Sequence, residues 1–378
     1  MTITETKTAE TTDWIGKARV LAADFATRAA EHDASDAFVA ENYRALRAAK
    51  LFSAAVPTEL GGGGATTPQI CEVIRELGHG CGSTALAYSM HAHLIATTVR
   101  RYRHGNTPPA DSLLRRVAAE ELVLVSSGGS DWLESSGTLT KKDGSFVYSG
   151  RKLFGSGSPG GDVLVTTGIY NDPEKGEIIR HFAVDLHGPG VRVLDNWRTM
   201  GMRGTGSNDI VIENVGVPAT FVERPRHKWD RYWDNNAPLI FALISAAYMG
   251  VAEYARGIAL EAARKKKDDP VTQQLVGEME TELLCARTMY DDMVAVTGSD
   301  YTPSIEASSV LFQRRTLFNR SAMRAVQLAC DAVGGASFYR SVGIERAFRD
   351  IQATRFHPWQ ERKQYVFSGR IALGLEPV

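Results

Sequence analysis

Leu122–Ser127 (LVLVSS), Gly137–Lys142 (GTLTKK), Asp143–Phe154 (DGSFVYSGRKLF), Gly161–Tyr170 (GDVLVTTGIY), His181–Leu186 (HFAVDL), Gly190–Asp195 (GVRVLD) and Asp209–Val215 (DIVIENV) follow one another along a single stretch of chain. Apolar and polar residues alternate in these runs, the period of a half-buried strand, and turn residues separate them. Asp143-Gly144 between two alternating runs is a hairpin signal, because its turn needs residues that tolerate positive φ. Strands spaced this closely, with no helical segment between them, describe an antiparallel sandwich or barrel from Leu122 to about Val222 and exclude a β-α-β dinucleotide unit. Gly201, Gly204 and Gly206 in GMRGTGSN are accordingly not a dinucleotide fingerprint: the order is not G-x-G-x-x-G and no helix is expected after them.

On both sides of this stretch the period becomes helical. Upstream, from Trp14 to about Arg116, apolar residues recur as Val39, Tyr43, Leu46 and Ala49, and again as Ile70, Val73, Ile74 and Leu77. The run from Pro57 to Pro68, with Gly61 to Gly64 inside it, reads as a surface linker, since nothing in it matches a phosphate-binding loop. Downstream of Pro238, blocks at Leu239–Arg264, Thr272–Thr297, Ser304–Val333 and Tyr365–Leu373 carry apolar stripes joined by short connections, as in an antiparallel bundle. Lys265 to Pro270 reads as a solvated turn between two of them. The expected fold class is α+β, with an N-terminal helical domain (residues 1–121), a central antiparallel β-barrel or sandwich (122–226) and a C-terminal four-helix bundle (227–378).

The chain has 378 residues, 43% of them hydrophobic and 23% charged, an ordinary soluble globular composition that excludes collagenous, disordered and disulfide-scaffold classes. Lys+Arg 43 against Asp+Glu 44 leaves a net charge of −1, so no long-range field recruits nucleic acid or an anionic membrane. A small molecule recognised locally is the expected partner. Cys71, Cys81, Cys285 and Cys330 show no C-x-x-C spacing, which argues against a metal site or redox dithiol and for free thiols in a reducing cytoplasm. The acidic, threonine-rich start MTITETKTAETTDW lacks the basic and apolar blocks of a secretory signal. Asn235 to Ala252 is uncharged, but two Asn, a Pro and a Ser interrupt it, and a membrane span needs roughly 20 mostly apolar residues. It reads as a buried helix.

Four strings, in order, carry a resemblance. GGSD at Gly128–Asp131 is similar to the A-G-S-D of a flavin loop. RKLFGSGSPGGDVLV at Arg151–Val165 stands where K-x-W-I-T-N is found. MGMRGTGSNDIVIENVGVP at Met200–Pro218 resembles G-x-R-(G)-(T)-x-S followed by V-F-x-x-V-x-V-P, and VGGASFYRSVGIERAFRD at Val333–Asp350 resembles G-G-x-G followed by R-x-x-R-D. Together they resemble the acyl-CoA dehydrogenase superfamily over nearly the whole chain, from about Trp14 to Leu375. The resemblance implies a flavoprotein, FAD or FMN, usually a homotetramer, with the flavin between the β domain and the C-terminal bundle. It places Val125, Ser126, Gly129 and Ser130 at the ring's pyrimidine edge or the phosphate, Phe154 near the ring and Ser156 near N5. It assigns Arg264, Gly334 and Gly335 to cofactor binding, the Arg264 region gripping the pyrophosphate and adenine of a neighbouring subunit's flavin. Hydrogen bonds at such positions tune a flavin's electron affinity, so these residue types suit the task.

The departures from the family pattern are equally informative. Deprotonating a carbon next to a thioester needs a carboxylate beside the flavin, and one family position for it lies eight residues after the R-D pair. Here that position is Pro358, preceded by His357. The other, ten residues before Gly250, is Ile240. Glu253 and Glu361 are the nearby acids that would have to serve as a displaced base. The FAD-gripping R-x-x-F-G is also incomplete: RKKKDDPVTQQ keeps Arg264, Gln273 and Gln274 without the Phe-Gly pair, which makes FMN an option.

The C-terminal string RDIQATRFHPWQERKQYVFSGRIALG, Arg349–Gly374, resembles the superfamily's flavin-dependent monooxygenase branch, which receives reduced flavin from a separate reductase. In that branch a histidine at the position of His357 faces the flavin and a serine at that of Ser156 lies near N5. An imidazole titrating near neutrality would supply the hydrogen bond and proton that oxygen activation needs. His357 and Ser156 are therefore the expected catalytic residues of a monooxygenase acting on a small apolar or aromatic substrate. An acyl-CoA dehydrogenase with a relocated base and a non-catalytic flavin-binding protein are the alternatives. His91 and His93 in YSMHAHLIATTV are two apart on a helix and point to different faces, so at most one borders the substrate space; Tyr88 is on the same helix.

Overall fold

The computed structural model describes residues 12–105, 110–218, 226–227 and 232–377. The acidic N-terminal segment discussed above and the end of the β-rich stretch near Val222 lie outside them. Six helices come first: α1 Trp14–Ala26, α2 Ala29–Ser35, α3 Ala40–Ala48, α4 Thr67–Gly80, α5 Gly82–Arg103 and α6 Ala110–Glu120. Seven strands and one short helix follow: β1 Leu124–Ser126, α7 Gly129–Glu134, β2 Thr138–Lys142, β3 Ser145–Gly155, β4 Val163–Asp172, β5 Gly176–Asp185, β6 Val191–Val193 and β7 Asn208–Val217. The chain ends in α8 Tyr232–Arg264, α9 Pro270–Thr297, α10 Ile305–Val333, α11 Ile344–Ile351 and α12 Glu361–Ala372.

Local chemistry explains several of these boundaries. Thr66 and Gln69 form a reciprocal capping box on α4, with Pro68 in its first turn. Asp269 caps α9, accepting from the Thr272 N–H, and Ser304 caps α10, accepting from the Ala307 N–H. Asp143 and Gly144, at φ of 47° and 78°, make the β2–β3 hairpin turn that their sequence announced.

The strands form one sheet in the order β1-β4-β2-β3-β7-β6, with β5 against β4. It is not purely antiparallel, as the strand spacing had suggested. β1 and β2 both run parallel to β4, at Leu124–Ser126 and Thr138–Leu139, because α7 sits between them and returns the chain in the same direction. Alternation buries Val125, Leu139, Phe146, Tyr148, Leu164, Phe182, Ile210 and Ile212 in the sheet's own core.

A second, larger core is shared by the N-terminal helices and the C-terminal ones, from Trp14 to Phe367. Of the expected four-helix bundle, α8, α9 and α10 are the long members and α12 packs on α10 as a short fourth. The helix α8 is apolar enough to cross a membrane, yet 89% of its most apolar window is buried inside the protein, as expected of a core helix. It crosses α4 at Gly78 and Gly250, where a Cβ on Gly250 would lie 2.2 Å from the Arg75 carbonyl oxygen. The polyglycine run packs on the protein itself: Cβ atoms on Gly62 and Gly63 would collide with Val56 and Trp14.

Candidate active site

The end of β3 is built against the loop before β7. Phe154 takes a left-handed φ of 56°, which turns the chain and lets the Ser156 N–H donate to its carbonyl at 2.9 Å. Three bonds then join the two loops: Gly157 N–H to Thr205 O at 2.8 Å, Ser158 Oγ to Gly206 O at 3.2 Å, and Ser156 Oγ to Ser207 Oγ at 2.8 Å. GMRGTGSN is thus the structural partner of RKLFGSG, which explains why both motifs occur together. The Phe154 ring is 56% exposed and stands edge-on to Trp197.

Helix α7 is pinned below this loop by a buried ion pair. Lys152 continues the inward phase of β3 after Phe146 and Tyr148, and its side chain is fully covered. Its Nζ donates to both Asp131 oxygens, at 2.8 and 2.9 Å, and to the carbonyls of Ser136 and Thr167. Burial lowers the Lys152 pKa and the Asp131 charge opposes that drop. With Gly128 N–H held by Leu153 O at 2.9 Å, the N–H groups of Gly129 and Ser130 in the first turn have no partner among the described residues. Ser130 itself is exposed.

His357 reaches this region from the segment between α11 and α12. Arg315 of α10, only 4% exposed, holds that segment by donating to His357 O at 2.8 Å and Trp359 O at 2.9 Å, while its guanidinium lies over Phe241. A Cβ on Gly129 would sit 2.6 Å from Pro358 Cγ, and one on Gly128 would sit 3.2 Å from the Phe154 ring. Phe154, Gly128, Gly129, Pro358 and His357 therefore form a continuous rim.

The His357 Nε2 lies 2.7 Å from the Tyr248 hydroxyl. Tyr248, on α8, is 1% exposed and has no other partner for its proton among the described residues, so the phenol donates to Nε2. Burial holds the Tyr248 pKa well above its ordinary value, so the phenol stays protonated. The imidazole's own proton is then on Nδ1, which has no partner among the described residues. Burial, then the charge of Arg315, then His93 once that ring is itself protonated, push the His357 pKa down to about 3. The ring is half-buried, and all three causes point the same way. This direction departs from the expectation of an imidazole titrating near neutrality and favours the uncharged ring.

Several other expected site residues are engaged elsewhere. Val125 points into the sheet core. The Ser126 hydroxyl donates to Ser127 O and accepts from Trp132 Nε1, which leaves the backbone of Val125 and Ser126 as what they could offer a ring. Tyr88 donates to Leu51 O. His91 donates from Nε2 to Phe52 O at 2.7 Å and accepts the Leu124 N–H at Nδ1, which makes it a brace between α5 and β1. His93, two residues on, lies on a different face of α5. Its Nδ1 is bonded to Ser89 O, and burial lowers its pKa to about 4. Arg264 and Gly334 lie far along α8 and α10, roughly 24 and 28 Å from Tyr248 and Arg315 respectively, a placement compatible with the neighbouring subunit's flavin that the resemblance implies for this region. Gly334 lies beside Lys266, whose Nζ would be 3.9 Å from a Cβ there, while a Cβ on Gly335 would meet nothing within 4 Å.

The acids are accounted for. Burial works to raise the Glu253 pKa, but hydrogen bonds from His79 and Arg75, with the charges of Arg75 and Arg287, bring it to about 2. Its position is also roughly 140° round α8 from Tyr248. Glu361 is bonded to Tyr365 and Arg320. Asp350, 4% exposed, accepts the Met202 N–H, and burial raises its pKa to about 6. Sequence reasoning missed Tyr248, Arg315, Lys152 and Asp350. Only Lys152 left a signal, a charge at the inward phase of a strand.

The model of the acyl-CoA dehydrogenase N-terminal domain matches residues 8–121, and that of the C-terminal domain matches residues 243–361. The chain belongs to the acyl-CoA dehydrogenase superfamily. It is similar to a putative acyl-CoA dehydrogenase, YdbM, of Bacillus subtilis (28% identical, 91% of this chain and 92% of that one). It is also similar to a dibenzothiophene monooxygenase of Mycolicibacterium goodii (26% identical, 94% of each). Among solved structures, KijD3 in complex with FMN and a dTDP-linked amino sugar superimposes with a TM-score of 0.86 at 26% identity, over 98% of this chain and 96% of that one. The protein is a flavin-dependent oxidoreductase.

The side chains present fit a flavin. Two unpartnered backbone N–H groups at Gly129 and Ser130, the Nδ1–H of His357 and the Ser156 hydroxyl are the kind of donors and acceptors that a ring's polar edge or a phosphate requires, and exposed Phe154 offers an apolar wall.

Proposed function

We propose that this protein is a monooxygenase that uses reduced FMN and O₂ to oxygenate a small, neutral, largely apolar substrate. The observation that carries this reading is the replacement of a carboxylate base by an uncharged Tyr248–His357 pair at the rim, with Glu253 and Glu361 both held in ion pairs. Reduced flavin supplies two electrons, so that one oxygen atom enters the substrate and the other leaves as water with the flavin's two hydrogens. Gly129 and Ser130 would hold the cofactor through their N–H groups, Ser156 would meet N5, and Phe154 would pack against the ring. His357 would direct its Nδ1–H at the reacting oxygen. Because it is neutral, it stabilises developing negative charge without titrating across physiological pH. The loss of the Phe-Gly pair after Arg264 supports FMN. Supply by a separate reductase and assembly as a homotetramer belong to the same proposal, on the strength of the family.

The test is anaerobic titration of the protein, loaded with oxidised FMN, against a panel of acyl-CoA thioesters. No bleaching of the flavin, together with transfer of one oxygen atom from ¹⁸O₂ into a small aromatic probe such as indole when reduced FMN is supplied, supports oxygenation. Direct bleaching overturns it.

A further inference from the structure

Behind Ser156 the hydroxyls form a chain whose proton order is fixed at its inner end. Thr205 Oγ1 lies 2.9 Å from the carbonyl oxygen of Met202, which can only accept. Thr205 has one hydroxyl proton and is fully buried, so that proton goes to Met202 O. Its Oγ1 also lies 2.7 Å from Ser207 Oγ, and this bond forms only if Ser207 donates. Ser207 in turn lies 2.8 Å from Ser156 Oγ, and having spent its proton it must accept there. The order in which all three bonds form is Ser156 to Ser207 to Thr205 to Met202 O. Ser207 is 4% exposed, which leaves little opening for water to interrupt it. Ser156 therefore sends its proton inward and turns only lone pairs outward.

We propose that Ser207 and Thr205 are positioning residues that make Ser156 a hydrogen-bond acceptor, so that the site selects the reduced form of its flavin. This rests on the reading that places N5 at Ser156. Reduced flavin carries a hydrogen on N5 and donates there; oxidised flavin has a bare N5 lone pair, which faces the serine's lone pairs without a proton between them. One hydrogen bond gained in one form and repulsion in the other is worth roughly a tenfold difference in affinity. The relay thus gives the protein a way to favour the reduced form delivered to it over the oxidised form left after turnover.

The experiment measures the dissociation constants of oxidised FMN and of dithionite-reduced FMN, under argon, for the wild type and for Thr205→Val, Ser207→Ala, Thr205→Ser and Ser156→Ala. Wild type is expected to bind reduced FMN about tenfold more tightly, equivalent to a midpoint potential about 30 mV above that of free FMN for a two-electron couple. In Thr205→Val and Ser207→Ala the Ser156 proton is released to point outward. Oxidised FMN then tightens and the ratio falls toward one, with the potential falling by the same 30 mV or so. Thr205→Ser keeps the hydroxyl and is expected to keep the wild-type ratio, which a merely structural role for residue 205 does not require. An unchanged ratio in both Thr205→Val and Ser207→Ala overturns the relay while leaving the flavin site intact. If Ser156→Ala changes the affinity of neither form, the placement of N5 at Ser156 is itself wrong, and the relay falls with it. Should one variant fail to fold, the other two hydroxyl substitutions decide the question.

Discussion

Replacing Tyr248 by Phe removes one oxygen from the interior and isolates the contribution of the Tyr248–His357 bond. In the wild type the alternative tautomer, with the proton on Nε2, would leave the Tyr248 proton buried without an acceptor, at a cost of about 1–3 kcal/mol. That corresponds to an excess of the Nδ1–H form of roughly 5- to 150-fold. In the Phe variant neither tautomer satisfies Nε2 and the preference disappears. The lost bond and the orphaned nitrogen together cost about 1–3 kcal/mol of stability. With an unfolding entropy of about 2.1 cal/mol/K per residue, that lowers Tm by only about 1–4 °C for a chain of this length. A fold that is nearly as stable but has lost its tautomer is therefore the expected outcome. The assay is long-range ¹H–¹⁵N NMR of the His357 ring, compared between wild type and variant at pH 7 without ligand. A second readout is the fraction of reduced FMN oxidised with formation of hydrogen peroxide instead of product, which is expected to rise. A ring in the Nε2–H form in the wild type, or an unchanged Nδ1–H preference in the variant, refutes the reasoning.

Other substitutions probe separate parts of the site. Glu253→Gln removes a carboxylate whose pKa is about 2 when folded against 4.5 when unfolded. Its stabilising effect is present above pH 4.5 and is lost as pH falls through 2, so the variant is expected to lose about 2–3 kcal/mol at pH 7 in denaturant melts without any change in reaction type. Gly129→Ala drives a methyl against Pro358, and overpacking of this kind costs about 1–3 kcal/mol; the fluorescence titration of FMN should weaken accordingly. Acid unfolding carries its own signature. His91 and His93, neutral with pKa values near 4, lend stability above pH 6.5 that is lost as pH falls through 4, about 3 kcal/mol each. Asp350 acts in the opposite sense: its raised pKa contributes about 3 kcal/mol below pH 3.8 that is lost as pH rises through 6. Wild type should therefore lose stability on acidification from pH 6.5 to 4, and Asp350→Asn should lose more of it, starting from a more stable protein at pH 7.

The order of helices, sheet and helices was legible because each is periodic over many residues, and α8 could be recognised as a core helix from its polar interruptions. The hairpin at Asp143-Gly144 was legible for a local reason, positive φ. What strand spacing could not convey was the parallel pairing of β1 and β2 with β4, since the short helix α7 that reverses the chain spans only Gly129–Glu134. The motif residues Gly129, Phe154 and His357 are brought together by the fold, but the motifs did not convey the direction of individual side chains. Ser126 and His91 looked available and are consumed by Trp132, Phe52 and Leu124. Tyr248 and Arg315 were invisible because they are an aromatic and a charge on long helices. Their meaning comes only from the loop that tertiary packing lays across them. The neutrality of His357 follows from burial and from the neighbouring Arg315, neither of which a spacing argument contains.

The account stands on oxygenation by reduced flavin in place of thioester dehydrogenation, and rapid mixing tests that most directly. Protein equilibrated with reduced FMN under argon is mixed with oxygenated buffer in a stopped-flow spectrophotometer. The account predicts a transient absorbance belonging to neither oxidised nor reduced flavin, whose lifetime shortens in Tyr248→Phe. Prompt single-step return of the oxidised spectrum, at the rate of free FMN, would contradict it.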